Sequence, residues 1–265
     1  MLRAIPLLAL LLSGCSAAPS ASGGIVSTNP CADAMLVQLV PPDRIAAISH
    51  YSLDPGSSSI PADVARRFRA TGGTAEEVIA LHPDLVVADT LTPAVSRAAY
   101  RRAGLRVIEF GAPATVAESR AQVIALAQAV GAPRAGQQIV ARIDAALGRS
   151  PTSGPTPGTL LFLGGDFATG PGTLLDELLA RAGLRDAAGD YGLTHSGTVS
   201  SETLLAKPPA LILAPDPSER GAMVRARLLG GRTRFATFPR RLINCGGPTI
   251  IAAMARLRAI RAGAP

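Results

Sequence analysis

Short aliphatic runs alternate with amphipathic stretches along residues 25–262. The runs predict buried strands because consecutive Val, Ile, Leu and Ala residues are bounded by turn formers. The expected strands are 25–27, 44–48, 85–88, 106–110, 159–163, 211–214 and 241–244. The amphipathic stretches predict helices at 32–40, 62–69, 76–82, 93–103, 173–182 and 202–207 and from Pro248 onward. Strands that alternate with helices indicate parallel α/β sheets.

One helix–strand sequence motif, here called the phrase, occurs twice in the chain. Residues 76–89 read EEVIALHPDLVVAD and residues 202–215 read ETLLAKPPALILAP, which is 202 − 76 = 126 positions later. The matches stand in register within two similarly ordered halves, so we favour a two-lobe repeat over coincidence among common helix–strand units. Residues 25–113 are then the N-terminal α/β lobe and residues 151–265 the C-terminal α/β lobe.

The segment between the lobes, residues 114–150, is a long helical stretch. Gly131 and Pro133 interrupt it, which predicts a short helix, a kink and then a longer helix. The sequence SPTSGPTPG at 150–158 is typical of a linker. Because a helix bridges the lobes in place of flexible strands, we expect only a small hinge closure when a ligand binds.

Composition narrows the function classes. Hydrophobic residues make up 48% and charged residues 17%, as in a globular protein, while aromatics make up only 3%. The net charge is +7, but the arginines that produce it are spread along the chain and Lys207 is the only lysine. Nucleic-acid binding usually adds lysines and stacking aromatics to a basic face, so we expect no nucleic-acid partner.

The N-terminus is typical of an export signal. Arg3 precedes the apolar run IPLLALLL, which is too short to span a bilayer, and the run ends in Leu-Ser-Gly-Cys15. Residues 1–15 resemble the signal and lipid-attachment box of a bacterial lipoprotein. That resemblance implies that Cys15 carries the lipid, that residues 16–24 form a flexible leash, and that the protein is periplasmic and anchored to the inner or the outer membrane. The alternative is an ordinary signal peptide with an incidental cysteine.

The whole of residues 24–262 resembles the substrate-binding proteins of ABC importers for iron–siderophore complexes and cobalamin. The motifs that carry the resemblance are IVSTNP at 25–30, ExVIALxPDLV at 76–86, TGPGTLLDELLARAGL at 169–184 and VSSETLLAKPPALIL at 199–213. The resemblance implies a class III periplasmic-binding-protein fold, in which a long helix joins two Rossmann-like lobes with central sheets. It also implies a monomer whose partners are an ABC permease dimer and a metal chelate or corrinoid ligand.

Two glutamates acquire a role from this resemblance. Glu76 and Glu202 fall on motif positions at which the family presents one carboxylate per lobe to arginines of the permease. Carboxylate–arginine pairs are charge-assisted and suit an oriented, transient complex. The alternative is that both are surface residues at helix starts, where a negative charge interacts favourably with the helix dipole.

Candidate ligand residues follow from the rule that ligands gather at the carboxyl ends of parallel strands. That rule selects Asn29, Cys31, His50, Tyr51, Asp54, Asp89, Thr90, Asp166, Phe167, Tyr191, His195, Asn244 and Cys245. The rings of Tyr51, Phe167 and Tyr191 could lie flat on a large chelate or macrocycle. Tyr51 also matches a position at which the family places an aromatic ligand contact. The alternative for each residue is a plain turn or core position.

Cys31 and Cys245 could be free thiols, thiolate contacts to a metal centre, inert buried residues or a disulfide between the lobes. A disulfide would require their Cα atoms to lie within about 6 Å. His50 and His195 could meet across the cleft with Asp54 or the cysteines, which would make a direct zinc or manganese site. We rank bare metal ions and heme below an iron–siderophore or cobalamin-type ligand, and we list no metal-ligating residues.

Enzyme motifs are missing from the sequence. The stretch from Gly165 to Thr173 has the glycine spacing of a phosphate loop, but Pro171 stands where a lysine is required. There is no His-Glu-x-x-His, Gly-x-Ser-x-Gly or paired-cysteine motif. We therefore expect a binding protein without a cofactor, and an exported cleft hydrolase is the alternative from another class.

Overall fold

The computed structural model describes residues 23–148 and 154–263. The predicted export signal, Cys15 and most of the predicted leash lie outside these residues. The strands are β1 (Ile25–Ser27), β2 (Ile45–Ser49), β3 (Ala70–Thr71), β4 (Leu85–Asp89), β5 (Val107–Phe110), β6 (Gly158–Gly164), β7 (Phe167–Ala168), β8 (Arg185–Asp186), β9 (Gly197–Thr198), β10 (Leu211–Ala214) and β11 (Arg234–Thr237). The helices are α1 (Pro30–Leu39), α2 (Ala62–Ala65), α3 (Ala75–Ala80), α4 (Ala94–Arg102), α5 (Val116–Ala129), α6 (Pro133–Leu147), α7 (Leu174–Arg181), α8 (Ser201–Ala206), α9 (Arg220–Leu229) and α10 (Thr249–Arg261).

These elements form two separate sheets, which confirms the predicted two-sheet α/β fold. The N-terminal sheet has the order β3-β2-β1-β4-β5 and is parallel throughout. The C-terminal sheet has the order β11-β10-β6-β7-β9, with β8 also paired to β6, and only β7 runs antiparallel to its neighbours, β6 and β9. The strand order β2-β1-β4-β5 of one sheet therefore recurs as β8-β6-β10-β11 in the other.

The repeated phrase forms the same unit in both lobes. Helix α3 followed by β4 corresponds to α8 followed by β10, and the first residues of the two strands, Leu85 and Leu211, are again 126 positions apart. Leu85 pairs with Ile25 of β1, and Leu211 pairs with Thr159 of β6. Each copy of the phrase therefore occupies an equivalent place beside the first strand of its own sheet.

One predicted strand was wrong. Residues 241–244 were expected to form the last strand, but a 3₁₀ turn covers Arg240–Leu242 and the strand is β11, which begins at Arg234. Because β11 is an edge strand, the side chain of Arg234 reaches solvent while the backbone pairs with β10.

The connecting segment also differs from the prediction. Helices α5 and α6 have 14 and 15 residues, and α6 folds back on α5 after a turn at Gly131, whose φ is +73°. The two helices lie in close contact at Gly136, where a Cβ atom would stand 2.4 Å from that of Ala127. The expected kinked helix is therefore a packed pair of helices, which glycine at 136 makes possible.

The main hydrophobic core is shared by both halves of the chain. It runs from the N-terminal sheet through Leu36 of α1, Leu126 of α5 and Ile139 of α6 to Leu161 of β6 and Leu257 of α10, all of which are buried. Each sheet also has one smaller hydrophobic cluster on its outer face. Alternate residues of β4 and β6 point to the shared core and to these outer clusters, as the strand period requires. Within the described ranges, no helix is both long enough and apolar enough to cross a membrane.

Candidate ligand groove

One pocket, here called the N-lobe pocket, lies where β1, β2, β3 and β4 end. Its volume is about 450 Å³. The residues that line it come from the loops after these four strands: Thr28, Pro30, Ser49, His50, Tyr51, Thr71, Gly72, Gly73, Asp89, Leu91, Thr92 and Pro93. This pocket lies at the edge of the sheet that the strand-end rule selected.

The second pocket, here called the C-lobe pocket, has a volume of about 420 Å³. It lies between the end of β6, the start of α7, the segment 112–114 that leaves the N-terminal sheet, and the loop before α10. Its lining residues are Ala112, Pro113, Ala114, Leu163, Thr169, Gly172, Thr173, Leu174, Leu175, Ser196, Ile243, Asn244, Cys245 and Gly246. Both halves of the chain contribute to it, and the two pockets together are here called the groove.

A buried carboxylate holds the aromatic wall of the N-lobe pocket. Asp33 on α1 accepts hydrogen bonds from the backbone N–H of Ser49 (2.9 Å) and from the hydroxyl of Ser52 (2.6 Å). Burial raises the pKa of Asp33 to about 7, although the hydrogen bonds from Ser52 and Ser49 oppose that rise. The 3₁₀ turn His50–Leu53 is thereby tied to the first helix.

Two rings stand side by side on that turn. The ring centroids of His50 and Tyr51 are 4.0 Å apart, and the Nδ1 of His50 lies 3.2 Å from the carbonyl oxygen of Thr71. Tyr51 is 52% exposed and Leu91, which lines the same pocket, is 88% exposed. Large apolar side chains that face solvent in a pocket provide a surface for a ligand with a broad apolar face.

Asn29 and Asp89 hold the loops of this pocket. The amide of Asn29 donates to the carboxylate of Asp89 and to the carbonyl oxygen of Phe110, each at 3.1 Å, and its oxygen accepts the first N–H groups of α1. Asp89 also accepts the backbone N–H of Leu91 at 2.7 Å. Since the buried amide of Asn29 already uses both of its hydrogens, we remove Asn29 from the expected ligand contacts and assign it a structural role. Thr90 is exposed and lines neither pocket.

Cys31 and Cys245 form a disulfide, which answers the question that the sequence left open. Their Cα atoms are 5.2 Å apart and their sulfurs 2.09 Å apart, although 214 positions separate them in the chain. Residues 240–247, here called the crossing loop, make further contacts with the N-terminal half. The side chain of Asn244 donates to the carbonyl oxygen of Gly56 (3.2 Å), and Ser59 donates to the carbonyl oxygen of Arg241 (2.9 Å). The lobes are therefore bonded to each other on the groove side.

Asp54 belongs to a tight turn near this contact. Its carboxylate accepts hydrogen bonds from the N–H of Gly56 (2.9 Å) and the hydroxyl of Ser57 (2.8 Å). These two bonds lower the pKa of Asp54, and the charge of Arg240 in the crossing loop adds to them. Asp54 lines neither pocket, so its clearest role is to shape the loop that meets Asn244.

Asp166 makes a salt bridge within the C-terminal lobe. Its carboxylate pairs at 2.7 Å with Arg225, a side chain that is only 2% exposed and lies 3.9 Å from the ring centre of Phe162. Burial lowers the pKa of Arg225, while the charges of Asp166 and Glu219 oppose that change. Glu219 also accepts the N–H of Gly165 at 2.7 Å. Helix α9 therefore fastens the β6–β7 turn, and we assign Asp166 a structural role in place of the expected ligand contact.

The remaining C-lobe candidates lie outside the two pockets. Tyr191 packs against the outer cluster of its sheet, and its hydroxyl donates to the carbonyl oxygen of Lys207 at 2.7 Å. Phe167 is 45% exposed on β7 but lines neither pocket. His195 lies 3.0 Å from the hydroxyl of Thr194, and only the next residue, Ser196, lines a pocket.

The described residues do not assemble the histidine–metal site that was considered as an alternative. No contact joins His50 and His195 among the described residues, and Cys31 and Cys245 are bonded to each other. Over residues 23–148 and 154–263, no group of three or more His, Cys, Asp or Glu side chains could hold a metal ion. The residues that do converge offer rings, apolar side chains and backbone groups.

Several groove residues escaped the sequence reasoning. Thr71, Gly72 and Gly73 follow β3, a strand of only two residues that the hydrophobic pattern did not predict. Residues 112–114 directly follow β5, at the predicted boundary between the N-terminal lobe and the connector, and were not among the expected ligand residues. Applying the strand-end rule to every strand, including the short ones, would have found both sets.

Glu76 and Glu202 occupy equivalent places. Each is the second residue of a short helix, and the helix is capped by the hydroxyl of Thr74 in one lobe and of Ser200 in the other. Both glutamates are exposed. Hydrogen bonds from its own backbone and from Ser200 lower the pKa of Glu202. The neighbouring Glu77 accepts hydrogen bonds from the hydroxyl of Thr71 and the backbone N–H of Gly72, so its carboxylate is bonded within its own lobe.

Two α/β lobes of repeated topology, a helical connector and a groove between the strand ends define the class of two-lobed solute-binding proteins. The family model described as "Periplasmic binding protein" matches residues 25–232. The chain therefore belongs to the periplasmic binding protein family, whose members work outside the cytoplasm. No curated protein sequence matches the chain.

Solved structures share the fold over nearly the whole chain. The periplasmic heme-binding protein RhuT from Roseiflexus sp. RS-1, in apo form, has a TM-score of 0.73 and 20% identity, covering 91% of this chain and 99% of that one. The heme-binding protein BhuT in complex with two hemes has a TM-score of 0.72 and 22% identity over 90% and 97%. The vitamin B12-binding protein BtuF of Vibrio cholerae has a TM-score of 0.67 and 18% identity over 91% and 97%. At these identities the similarity shows the fold.

Proposed function

We propose that this protein is the substrate-binding component of an ABC importer and that it captures a flat metal chelate, heme or a corrinoid, in the groove between its lobes. The observation that carries the proposal is the exposed pair of rings, His50 and Tyr51, on the wall of the N-lobe pocket. An aromatic pair held rigidly by a buried carboxylate is suited to stack on, or to coordinate through, the face of a metal macrocycle.

The chemistry of the pocket wall supports a macrocycle over a bare ion. Leu91, Pro30 and Pro93 add apolar surface beside the rings. Zinc and manganese sites need several converging His, Cys or carboxylate ligands, and the described residues bring no such group together. Structural relatives that bind heme and vitamin B12 favour the same ligand class. A ferric siderophore is the next candidate, because it too is a large metal chelate.

Delivery to a permease is the second part of the proposal. Glu76 and Glu202 present one exposed carboxylate per lobe at equivalent helix positions, as expected if each lobe contacts one subunit of a permease dimer. The cysteine of the N-terminal box, Cys15, would carry a lipid that keeps the protein near that permease. We further propose that the protein acts as a monomer in this complex.

The ligand is tested by titration of the purified protein with hemin, cyanocobalamin, a ferric hydroxamate siderophore, Zn²⁺ and Mn²⁺. We expect saturable binding of hemin or cyanocobalamin, followed by absorbance changes or quenching of tyrosine fluorescence. Replacing Tyr51 by Ala should weaken that binding about tenfold or more, because the ring contact is lost. Tyr191→Phe is the matched control outside the pockets and should bind like the wild type.

Each alternative has its own outcome in the same titration. Saturable binding of the bare ions alone would overturn the macrocycle proposal, and equal affinity of the wild type and Tyr51→Ala would remove the ring pair from the site. Hydrolytic turnover of an ester or phosphoester substrate that is lost in Tyr51→Ala would favour the cleft hydrolase.

A further inference from the structure

The Cys31–Cys245 disulfide lies between the two pockets. Pro30, the neighbour of Cys31, lines the N-lobe pocket, and Cys245 itself lines the C-lobe pocket. A ligand that spans the groove would therefore rest over this bond. The sulfur of Cys31 is also 3.4 Å from the carbonyl oxygen of Asn244, so the bond is packed into the crossing loop.

The other groove-side contacts of the crossing loop are single hydrogen bonds. Two of them, from Asn244 to Gly56 and from Ser59 to Arg241, are exposed to solvent. Water can replace exposed hydrogen bonds at little cost, so these two contacts cannot by themselves hold the lobes at one separation. A third, from the N–H of Gly247 to Ser119 of α5, is buried, but it ties the loop to the connector and not to the N-lobe pocket.

The fold has little need of this bond for its core. One hydrophobic cluster already joins both sheets through α1, α5, α6 and α10. What the bond adds is a limit on distance, because a disulfide accepts Cα separations of only about 4.4–6.8 Å. The observed 5.2 Å lies inside that range. Movement of one lobe against the other is therefore restricted to about 2 Å at this point of the groove.

We propose that the Cys31–Cys245 disulfide is a spacer that sets the width of the groove and thereby limits the size of the ligand that the protein accepts. This inference rests on the proposed function, since it assumes that the ligand spans both pockets. Export to an oxidising compartment would keep the bond formed. Selectivity then comes from a groove of constant width and not from closure around whichever ligand enters.

The test compares the wild type with the double variant Cys31→Ala/Cys245→Ala. The matched control, Ser59→Ala, removes an exposed cross-lobe hydrogen bond at a residue that lines neither pocket, and it keeps the disulfide. Binding of hemin and of the larger cyanocobalamin is measured for all three. We expect the ratio of the two dissociation constants to change at least fivefold in the cysteine variant and less than twofold in the control. A general loss of stability would weaken both ligands alike and leave the ratio unchanged.

Groove width is measured separately and without a ligand. Val95 on α4 and Met223 on α9 are both exposed, and each is replaced by a ketone-bearing residue that carries a gadolinium label. Pulsed dipolar spectroscopy then gives the distribution of distances between the two labels. The distribution should broaden in the cysteine variant and also in the wild type treated with a phosphine reductant. If the cysteine variant does not fold, the reduced wild type still shows how the distance distribution changes when the disulfide is broken.

The outcomes are distinguishable. An unchanged distance distribution, in both the variant and the reduced wild type, overturns the spacer. A broadened distribution with an unchanged affinity ratio overturns its role in selectivity. If neither hemin nor cyanocobalamin binds any form, the proposed ligand class fails, while the distance measurement still decides whether the disulfide sets the groove width.

Discussion

The carboxylate of Asp33 accepts a hydrogen bond of 2.6 Å from the hydroxyl of Ser52, which joins the first helix to the turn that carries Tyr51. The other carboxylate oxygen of Asp33 is buried with no hydrogen-bond donor among the described residues. Burial in this site disfavours the ionised form, and the pKa is raised from 3.8 to about 7. The aromatic wall of the groove is therefore supported by an acid that titrates near neutral pH.

This acid makes the stability of the protein depend on pH. Between pH 4 and 7 the native state keeps a proton on Asp33 that the unfolded chain has lost, so the free energy of unfolding falls as the pH rises and levels off above pH 7. We expect a loss of about 2 kcal/mol from this residue between pH 5 and 8. Asp186, whose pKa burial raises to about 6, acts in the same direction over pH 4–6.

Urea denaturation at pH 5, 6, 7 and 8 measures this dependence. In Asp33→Asn the decline between pH 6 and 8 should largely disappear. Asp186→Asn is the matched control, because it removes a carboxyl group that lies outside the groove and has a raised pKa. It should reduce the dependence of the unfolding free energy on pH only in the lower part of the pH range. A decline in Asp33→Asn as steep as that of the wild type would contradict the buried-acid account.

Arg225 and Asp166 differ in what their removal leaves behind. Arg225 is 2% exposed and Asp166 is 52% exposed, so losing the carboxylate strands a buried cation, while losing the guanidinium leaves an acid that water can solvate. We expect Asp166→Asn to cost about 2 kcal/mol in the free energy of unfolding and Arg225→Met about 1 kcal/mol or less. Urea midpoints of the two variants check the order, and the reverse order would show that the pair is not held together as described.

Charge reversal tests the docking role of the two glutamates. Glu76→Arg/Glu202→Arg should abolish ligand uptake by cells that carry the cognate permease, because like charges would meet at both contacts. Ligand affinity of the purified variant should stay within twofold of the wild type, since neither residue lines a pocket. Asp63→Arg is the matched control: Asp63 is also the exposed second residue of a short helix. Uptake that survives the double reversal would exclude the docking proposal.

Much of the architecture could be predicted because its signals are local. Consecutive aliphatic residues indicated β4 and β10, and the phrase shared by residues 76–89 and 202–215 indicated two lobes. Strand direction then located the groove, so His50 and Tyr51 were expected at its wall before any coordinates. Periodicity failed for β3 and β11, which are short or edge strands whose stability comes from a neighbouring strand and not from their own pattern.

The sequence by itself therefore determined the alternation of strands and helices, the repeat and the edge at which the parallel strands of each sheet end, since these follow from hydrophobic spacing and from strand polarity. Tertiary structure alone decided which side chains meet there. Cys31 forms a disulfide with Cys245, which is 214 positions away in the chain, and Asp166 forms a salt bridge with Arg225, which is 59 positions away. Residues so far apart in the chain come into contact only because the shared core packs the two lobes together. No local sequence pattern indicates which of these residues will meet.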